Sequence, residues 1–299
     1  MITKYLNRIC RILITNKLMS PSLINKLMFY RKFKRWPDLK NPQDINEKMM
    51  WLLFYSDTSK WTQLADKYAV RQYVEEKGLR NILVKMHGQY ENINDIDFKK
   101  LPKKFVIKSN NGFGTVMIVR DKSTINEKET KRILKSWIKE PYGYWTGELH
   151  YIKIKRCIII EELLDQNSQL SSSLIDYKIW CMNGKVYCCM CCTNRNIEKQ
   201  TTDYNYYELP SWTVRKDLIP NHYENNAVVP KPKHLDEMIT YAEKLAEDFP
   251  IVRVDLYEVN DKVYFGEMTF TCNACHMSFF TEEELLRMGQ VADIKHIKK

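Results

Sequence analysis

Residues 251–270, IVRVDLYEVNDKVYFGEMTF, constrain the fold of this chain more than any other stretch. Apolar and polar residues alternate on either side of Asn260-Asp261, which reads as two antiparallel strands joined by a tight turn. The two-residue side-chain period then places Arg253 and Asp255 on one face of their strand. Asp255 and Glu267 fall on neighbouring strands, where their carboxylates can converge. An arginine beside two carboxylates has two readings. One is an ion-pair network across a surface hairpin. The other is a site where a hard cation and phosphate oxygens share the charges.

The stretch LPKKFVIKSNNGFGT favours the second reading. Phe105-Val106-Ile107 is a short buried strand closed by Lys108. Asn110 to Thr115 is a turn carrying Gly112 and Gly114, and Val116 to Val119 is the returning strand. A cation at a strand end, beside flexible backbone amides, suits phosphate oxygens. No Gly-Lys-Ser/Thr follows the glycines and no helix starts there, so this is a glycine-bearing hairpin and not a Walker loop. A third piece, Cys157 to Leu164, is a buried strand ending in Glu161 and Glu162. It either offers backbone groups to an adenine edge or is a core strand meeting solvent.

Taken in order, these motifs resemble the TupA-like branch of the ATP-grasp superfamily. The resemblance runs through NPQDINEKMMWL, LADKYAVRQYVEEKG, KKFVIKSNNGFGT, IIIEELL, DYKIWCMNGKVY and the hairpin, and so covers most of residues 40–280. It implies an α+β ATP-grasp fold, two α+β lobes gripping ATP behind a mainly helical N-terminal region. The implied boundaries are a basic arm at 1–37, a helical region at 38–100, a smaller lid lobe at 101–173 and a larger metal-bearing lobe at 174–299. By the same resemblance Lys67 and Lys108 reach the phosphates, and Gly112 and Gly114 form the lid. Glu161, Glu162, Leu163 and Leu164 form the adenine hinge, and Asp176 meets the ribose hydroxyls. Lys178 and Arg195 meet the transferring phosphate or an acidic substrate, and Arg253 stabilises the transferred phosphoryl group. Asp255, Glu267 and Thr269 hold Mg²⁺. Many members carry Glu-x-Asn at the last metal position; here it is Glu267-Met268-Thr269, whose hydroxyl still offers an oxygen. Where relatives run into a glycine-rich loop, this chain has Thr271-Cys272-Asn273-Ala274-Cys275-His276, expected to face the acceptor.

The activity implied is ligation. ATP phosphorylates a carboxylate, and an amine displaces phosphate to give an amide. The expected partners are ATP, an amine or amino acid and a uronic acid or other carboxylated sugar, in bacterial surface-polysaccharide assembly. Positioning and charge neutralisation carry such phosphoryl transfer, with no nucleophilic side chain required. Two alternatives stand beside it: a kinase of this fold that phosphorylates a glycan hydroxyl, and a non-enzymatic membrane-associated assembly protein with a vestigial nucleotide site.

Of the net charge of +10, nine positive charges lie in residues 1–37, which hold no acid, leaving the remainder at +1. Ile2, Tyr5, Leu6, Ile9 and Leu13 recur there at helical spacing, with Lys4, Arg8 and Arg11 on other faces. Such an arm suits an anionic membrane surface or a solvated basic face packed on the body. No nucleic-acid motif accompanies it, and nucleic acid is not an expected partner. The 44% apolar and 28% charged fractions are those of a globular protein. Nine cysteines without a secretory signal point to a reducing cytosol, with peripheral attachment at the inner membrane face through the arm. Alternation splits Cys188 and Cys192 from Cys189 and Cys191, which reads as buried thiols in a core strand. Cys272, Cys275 and His276 leave open a zinc site, but read better as a thiol-bearing substrate loop. Residues 1–90 read mainly as helices, with further helices near 126–140 and 233–248. The segment from Thr201 to Pro232 reads as a loop across the cleft mouth.

Overall fold

The structure, a computed structural model, describes residues 2–112, 114–166, 169–196, 199, 201–220 and 228–297. Its helices are α1 (Ile2–Thr15), α2 (Pro21–Phe33), α3 (Ile45–Tyr55), α4 (Ser59–Leu64), α5 (Val70–Glu76), α6 (Glu127–Lys139), α7 (Leu149–Ile152), α8 (Leu235–Ala246) and α9 (Glu282–Val291). Its strands are β1 (Met86–Tyr90), β2 (Phe105–Ser109), β3 (Val116–Val119), β4 (Ile158–Glu162), β5 (Asp176–Met182), β6 (Lys185–Asn196), β7 (Thr201–Glu208), β8 (Thr213–Val214), β9 (Ile251–Val259) and β10 (Lys262–Thr269). The chain divides into two compact units. The first holds Met1–Asn25, Ser59–Tyr73 and Leu83–Leu164, and the second the remainder. No described helix is long and apolar enough to cross a membrane.

Helix starts follow from local chemistry. Asp44 caps α3 by accepting from the Glu47 amide, Asn126 caps α6 through the Glu129 amide, and Thr281 caps α9 through the Glu284 amide. Acids crowd the first turns of α6 and α9, where the helix dipole favours them.

The first unit is built on an antiparallel sheet in the order β1-β4-β2-β3. Phe105, Ile107, Ile158 and Ile160 point to one face and pack with Leu134 of α6 and with Ile93, Ile96 and Phe98. Alternation sends Val106, Lys108, Ile159 and Glu161 to the other face. Strand β1 is absent from the helical reading of residues 1–90. Its MHGQY is half-buried throughout and carries a glycine at a register shift, so it shows neither alternation nor an apolar run.

The second unit carries an antiparallel sheet in the order β10-β9-β5-β6-β7-β8. Helix α8 lies on the face that bears Cys181, whose thiol approaches the Ala242 carbonyl at 3.9 Å. The opposite face carries the charges. The loop expected from Thr201 onwards is corrected: Thr201–Glu208 is strand β7, paired along β6, and Thr213–Val214 is β8. Threonine and tyrosine are strand formers, and here they outweigh the polarity. Tyr206 and Tyr207 are fully buried, and Tyr207 stacks on Trp212 at 4.1 Å. Residues 221–227 of that stretch lie outside the described residues.

Candidate active site

In the first unit, Lys108 is the outward neighbour of Glu161, one strand over and diagonal in register. Its ammonium meets Glu161 Oε2 at 2.9 Å, and Arg71 from α5 meets Oε1 at 3.3 Å. Arg71 also donates to the Val84 carbonyl at 2.9 Å. Sequence reasoning missed Arg71, because its partner lies 90 residues on. Lys67 precedes α5, and its ammonium meets the Gly112 carbonyl at 3.2 Å. Its own amide donates to Asn110 O at 3.0 Å, which ties the lysine to the root of the glycine turn. Asn110 in turn exchanges backbone and side-chain bonds with Cys157 on the approach to β4. The Ser109 and Thr115 hydroxyls close the turn. Gly112 has φ +108°, and a Cβ there would lie 3.2 Å from the Tyr142 ring; Gly114 has φ +75°. Phe113 lies outside the described residues. The Glu161 backbone is committed to the sheet, the Glu162 amide donates to Lys85 O at 2.9 Å, and Leu163 and Leu164 run on half-buried beyond the strand end.

In the second unit the predicted residues of β5, β9 and β10 share one face. Lys178 pairs with Asp255, and Asp255 with Glu267, in adjacent ladders. The second pairing depends on a bulge. Counting back from the Asn260-Asp261 turn, Phe265 sits opposite Leu256, and a regular ladder would set Glu267 opposite Val254, on the wrong face. The register instead shifts at Gly266, which puts Glu267 opposite Asp255. A Cβ at Gly266 would stand 2.9 Å from the Asp255 carbonyl, so the bulge requires glycine.

The side chains form an unbroken chain of alternating charge. Arg253 donates from Nε to Asp255 Oδ1 at 2.6 Å, and from Nη2 to Asp255 Oδ2 at 2.7 Å, Glu267 Oε1 at 3.1 Å and Thr269 Oγ1 at 3.0 Å. The Lys178 ammonium bridges Asp255 and Asp176, the latter at 2.8 Å. Arg195 donates to the same Asp176 Oδ2 at 2.8 Å. Acids Glu267, Asp255 and Asp176 thus alternate with bases Arg253, Lys178 and Arg195, and the formal charges cancel. Asp255 is 1% exposed and Lys178 and Arg253 10%, whereas Glu267 and Arg195 at the ends are 36% and 41% exposed. The Arg253 guanidinium also lies 5.6 Å from the Trp180 ring centroid.

Charge and burial compete along the chain. Burial raises the Asp176 pKa, but Lys178 and Arg195 overcome it and hold the group below its ordinary value. At Asp255 burial outweighs the pull of Arg253 and Lys178 and holds the carboxyl above its ordinary value. Burial lowers Lys178 and Arg253, yet the carboxylates beside each overcome it and raise both. Asp176 Oδ1 is buried with no hydrogen-bond partner among the described residues. Asp255, Glu267 and Thr269 offer oxygen alone, the donor type a hard dication takes.

Next to Arg253, whose Nη1 lies 3.8 Å from Cys272 Sγ, comes the loop expected to face the acceptor. Asn273, Ala274 and Cys275 take successive left-handed conformations, φ 49°, 55° and 67°. Three such non-glycine residues in a row store strain, and the surroundings hold them there. Asn46 of α3 clamps the Met277 backbone in both directions at 3.0 Å. Cys188, Cys189, Cys191 and Cys192 are buried free thiols, and burial pushes Cys192 up to about 12. No group of three or more His, Cys, Asp or Glu with metal-site spacing occurs among the described residues, so the zinc reading of Cys272, Cys275 and His276 finds no support there.

The TupA-like ATPgrasp family matches residues 47–292, a span that holds both sheets and the whole ion chain. The protein is therefore an ATP-grasp enzyme. Within that class it belongs to the TupA-like family, and residues 1–46 lie outside the match. No protein with a curated description matches the chain. Among solved structures it is similar to D-alanine–D-alanine ligase from Bacillus anthracis, at 13% identity and TM-score 0.45, over 79% of this chain and 69% of that one. The enzyme of the same name from Helicobacter pylori gives 14% and 0.45, over 83% and 67%. An L-amino acid ligase from Bacillus licheniformis gives 14% and 0.42, over 70% and 41%.

Proposed function

We propose that this protein is an ATP-dependent carboxylate–amine ligase acting in bacterial surface or capsular polysaccharide assembly. The observation that carries the reading is the self-neutralised run of three acids and three bases on one sheet face of an ATP-grasp chain. On this reading Asp255 and Glu267, with the Thr269 hydroxyl, would hold Mg²⁺. When bound, that ion supplies charge neutralisation to the phosphates. Arg253 and Lys178 are buried cations that phosphate oxygens would recruit from the carboxylates. Lys67, Lys108 and the turn of Gly112 and Gly114 serve the nucleotide phosphates. The strand exit from Glu161 and Glu162 to Leu163 and Leu164 serves as the adenine hinge, and Asp176, with its unpartnered Oδ1, accepts from a ribose hydroxyl. Arg195 is exposed enough to meet an acidic substrate. The lobes are residues 101–173 and 174–299.

A carboxylate oxygen of the acceptor attacks the terminal phosphorus of ATP, and the bond to ADP breaks. The amine nitrogen then attacks the acyl carbon, phosphate leaves, and the amine proton passes to solvent. Positioning and fixed charge do the work, and no side chain is consumed. The carboxylate is a uronic acid or other carboxylated sugar, and the amine an amino acid. Incubation with ATP, Mg²⁺, uronic acids and a panel of amino acids tests this directly. ADP and free phosphate should appear only when both substrates are present, with a product at the summed mass less water. A phosphoester without free phosphate would assign a kinase instead. The basic arm, residues 1–37, has no task in this chemistry.

A further inference from the structure

The first helix turns Asn7 and Cys10, with half-buried Leu6, Leu13 and Ile14 beside them, into its unit and leaves part of its apolar face outside. Asn7 and Cys10 are buried, and Asn7 Oδ1 accepts from the Trp145 amide at 2.8 Å. Tyr5, Ile9 and Ile12 are exposed, at 68%, 38% and 59%. At 3.6 residues per turn these three fall within about 60° of arc. Arg8 and Arg11 flank that stripe on one side and are exposed as well. Helix α2 repeats the pattern, with Leu23, Leu27 and Tyr30 exposed at the same spacing. Beyond its end Trp36, 54% exposed, stacks on Tyr30 at 4.9 Å. A stripe of exposed apolar side chains on a chain with a conventional core marks an interaction surface.

From the stripe of α1 we infer that this helix docks the protein on an anionic lipid surface, with Tyr5, Ile9 and Ile12 at the acyl boundary and Arg11 among the headgroups. Charge decides between occupants. Nine basic residues and no acid make two copies of the arm repel each other, whereas an anionic surface complements them. Nucleic acid would use the charge but leaves Tyr5, Ile9 and Ile12 without a role. Shallow burial of an apolar face combined with basic flanks is the physics of an interfacial helix. The arm lies outside the span of the family match, so this docking adds to the nucleotide chemistry without taking residues from it.

Co-sedimentation of the full chain with vesicles tests the inference. The probes are phosphatidylcholine vesicles with and without phosphatidylglycerol at roughly one lipid in three, enough to give a negative surface potential. Binding to the anionic vesicles should be at least about tenfold tighter and should weaken with salt. Two sets of substitutions, Tyr5→Ser with Ile9→Ser and Ile12→Ser, and Arg11→Glu with Lys17→Glu, should each lose most of it. Because these side chains are exposed, the thermal midpoint should stay unchanged. Equal binding of the triple variant and the parent, equal binding to both vesicle types, or no binding at all would overturn the inference. So would concentration-dependent dimerisation abolished by the triple variant without vesicle binding. ATP-analogue binding, measured on the same variants, reports separately on the proposed ligase.

Discussion

The two units meet charge in opposite ways. In the first, two cations, Arg71 and Lys108, share one carboxylate, Glu161, and Lys108 keeps 30% of its side chain exposed. In the second, three acids and three bases balance in a chain whose centre is almost dry. A phosphate can approach the first cluster with little internal rearrangement. The second cluster must exchange partners, so its ligands have to supply both a cation for the carboxylates and anions for Arg253 and Lys178. A metal–nucleotide pair has that composition. The contrast also separates stability from function, because buried pairs are costly to break and half-exposed pairs are not.

The largest effect that would break this contrast is at the centre of the buried chain. Asp255→Ala leaves Arg253 and Lys178 with an uncompensated buried charge, and should cost about 3–5 kcal/mol in urea unfolding. A loss below about 1 kcal/mol would show the chain is solvated. Next comes Gly266→Ala, whose Cβ meets the Asp255 carbonyl. It should cost about 1–3 kcal/mol as overpacking at a rigid site. It should also remove the Mg²⁺-dependent part of nucleotide binding, since the ladder must slip and carry Glu267 off the face.

His150, a fully buried titratable group of the first unit, sharpens the comparison. Neither ring nitrogen has a hydrogen-bond partner among the described residues, and burial lowers its pKa from 6.5 to about 3. Between those values the unfolded chain binds a proton that the folded chain refuses. Stability is therefore complete above pH 6.5 and falls as pH drops toward 3, by about 1.4 kcal/mol per unit at most. His150→Phe should flatten that slope in pH-dependent unfolding; an unchanged slope would show the ring protonates in place. The smallest stability effect is at Lys108→Gln, within about 1 kcal/mol. Nucleotide affinity should nevertheless fall at least about tenfold in titration calorimetry.

Much of the fold could be read from the chain because its signals are local. The Asn260-Asp261 hairpin, α6 beside its Asn126 cap and the strands around Lys108 and Glu161 all carry period and turn chemistry within a few residues. What could not be read is set by register and by distant partners. Glu267 reaches the face of Asp255 only through the Gly266 bulge, and a count of alternation from the turn predicts the reverse. Lys178 and Asp255 lie 77 residues apart, so their contact follows from β5 pairing with β9 and from nothing local. Strand β7 was masked by polarity, and which face of α1 turns outward is set by its contact with Trp145, 138 residues away.

The exchange of partners in the buried chain is tested most directly by the thermal midpoint with and without Mg²⁺ and a non-hydrolysable ATP analogue, for the parent chain and Glu267→Ala. Ligand at one hundred times its Kd stabilises the native state by about 2.7 kcal/mol. The parent should therefore show a clear rise that needs both metal and nucleotide, and Glu267→Ala should keep only the metal-independent part. No rise in the parent, or an equal metal-dependent rise in the variant, would contradict the account.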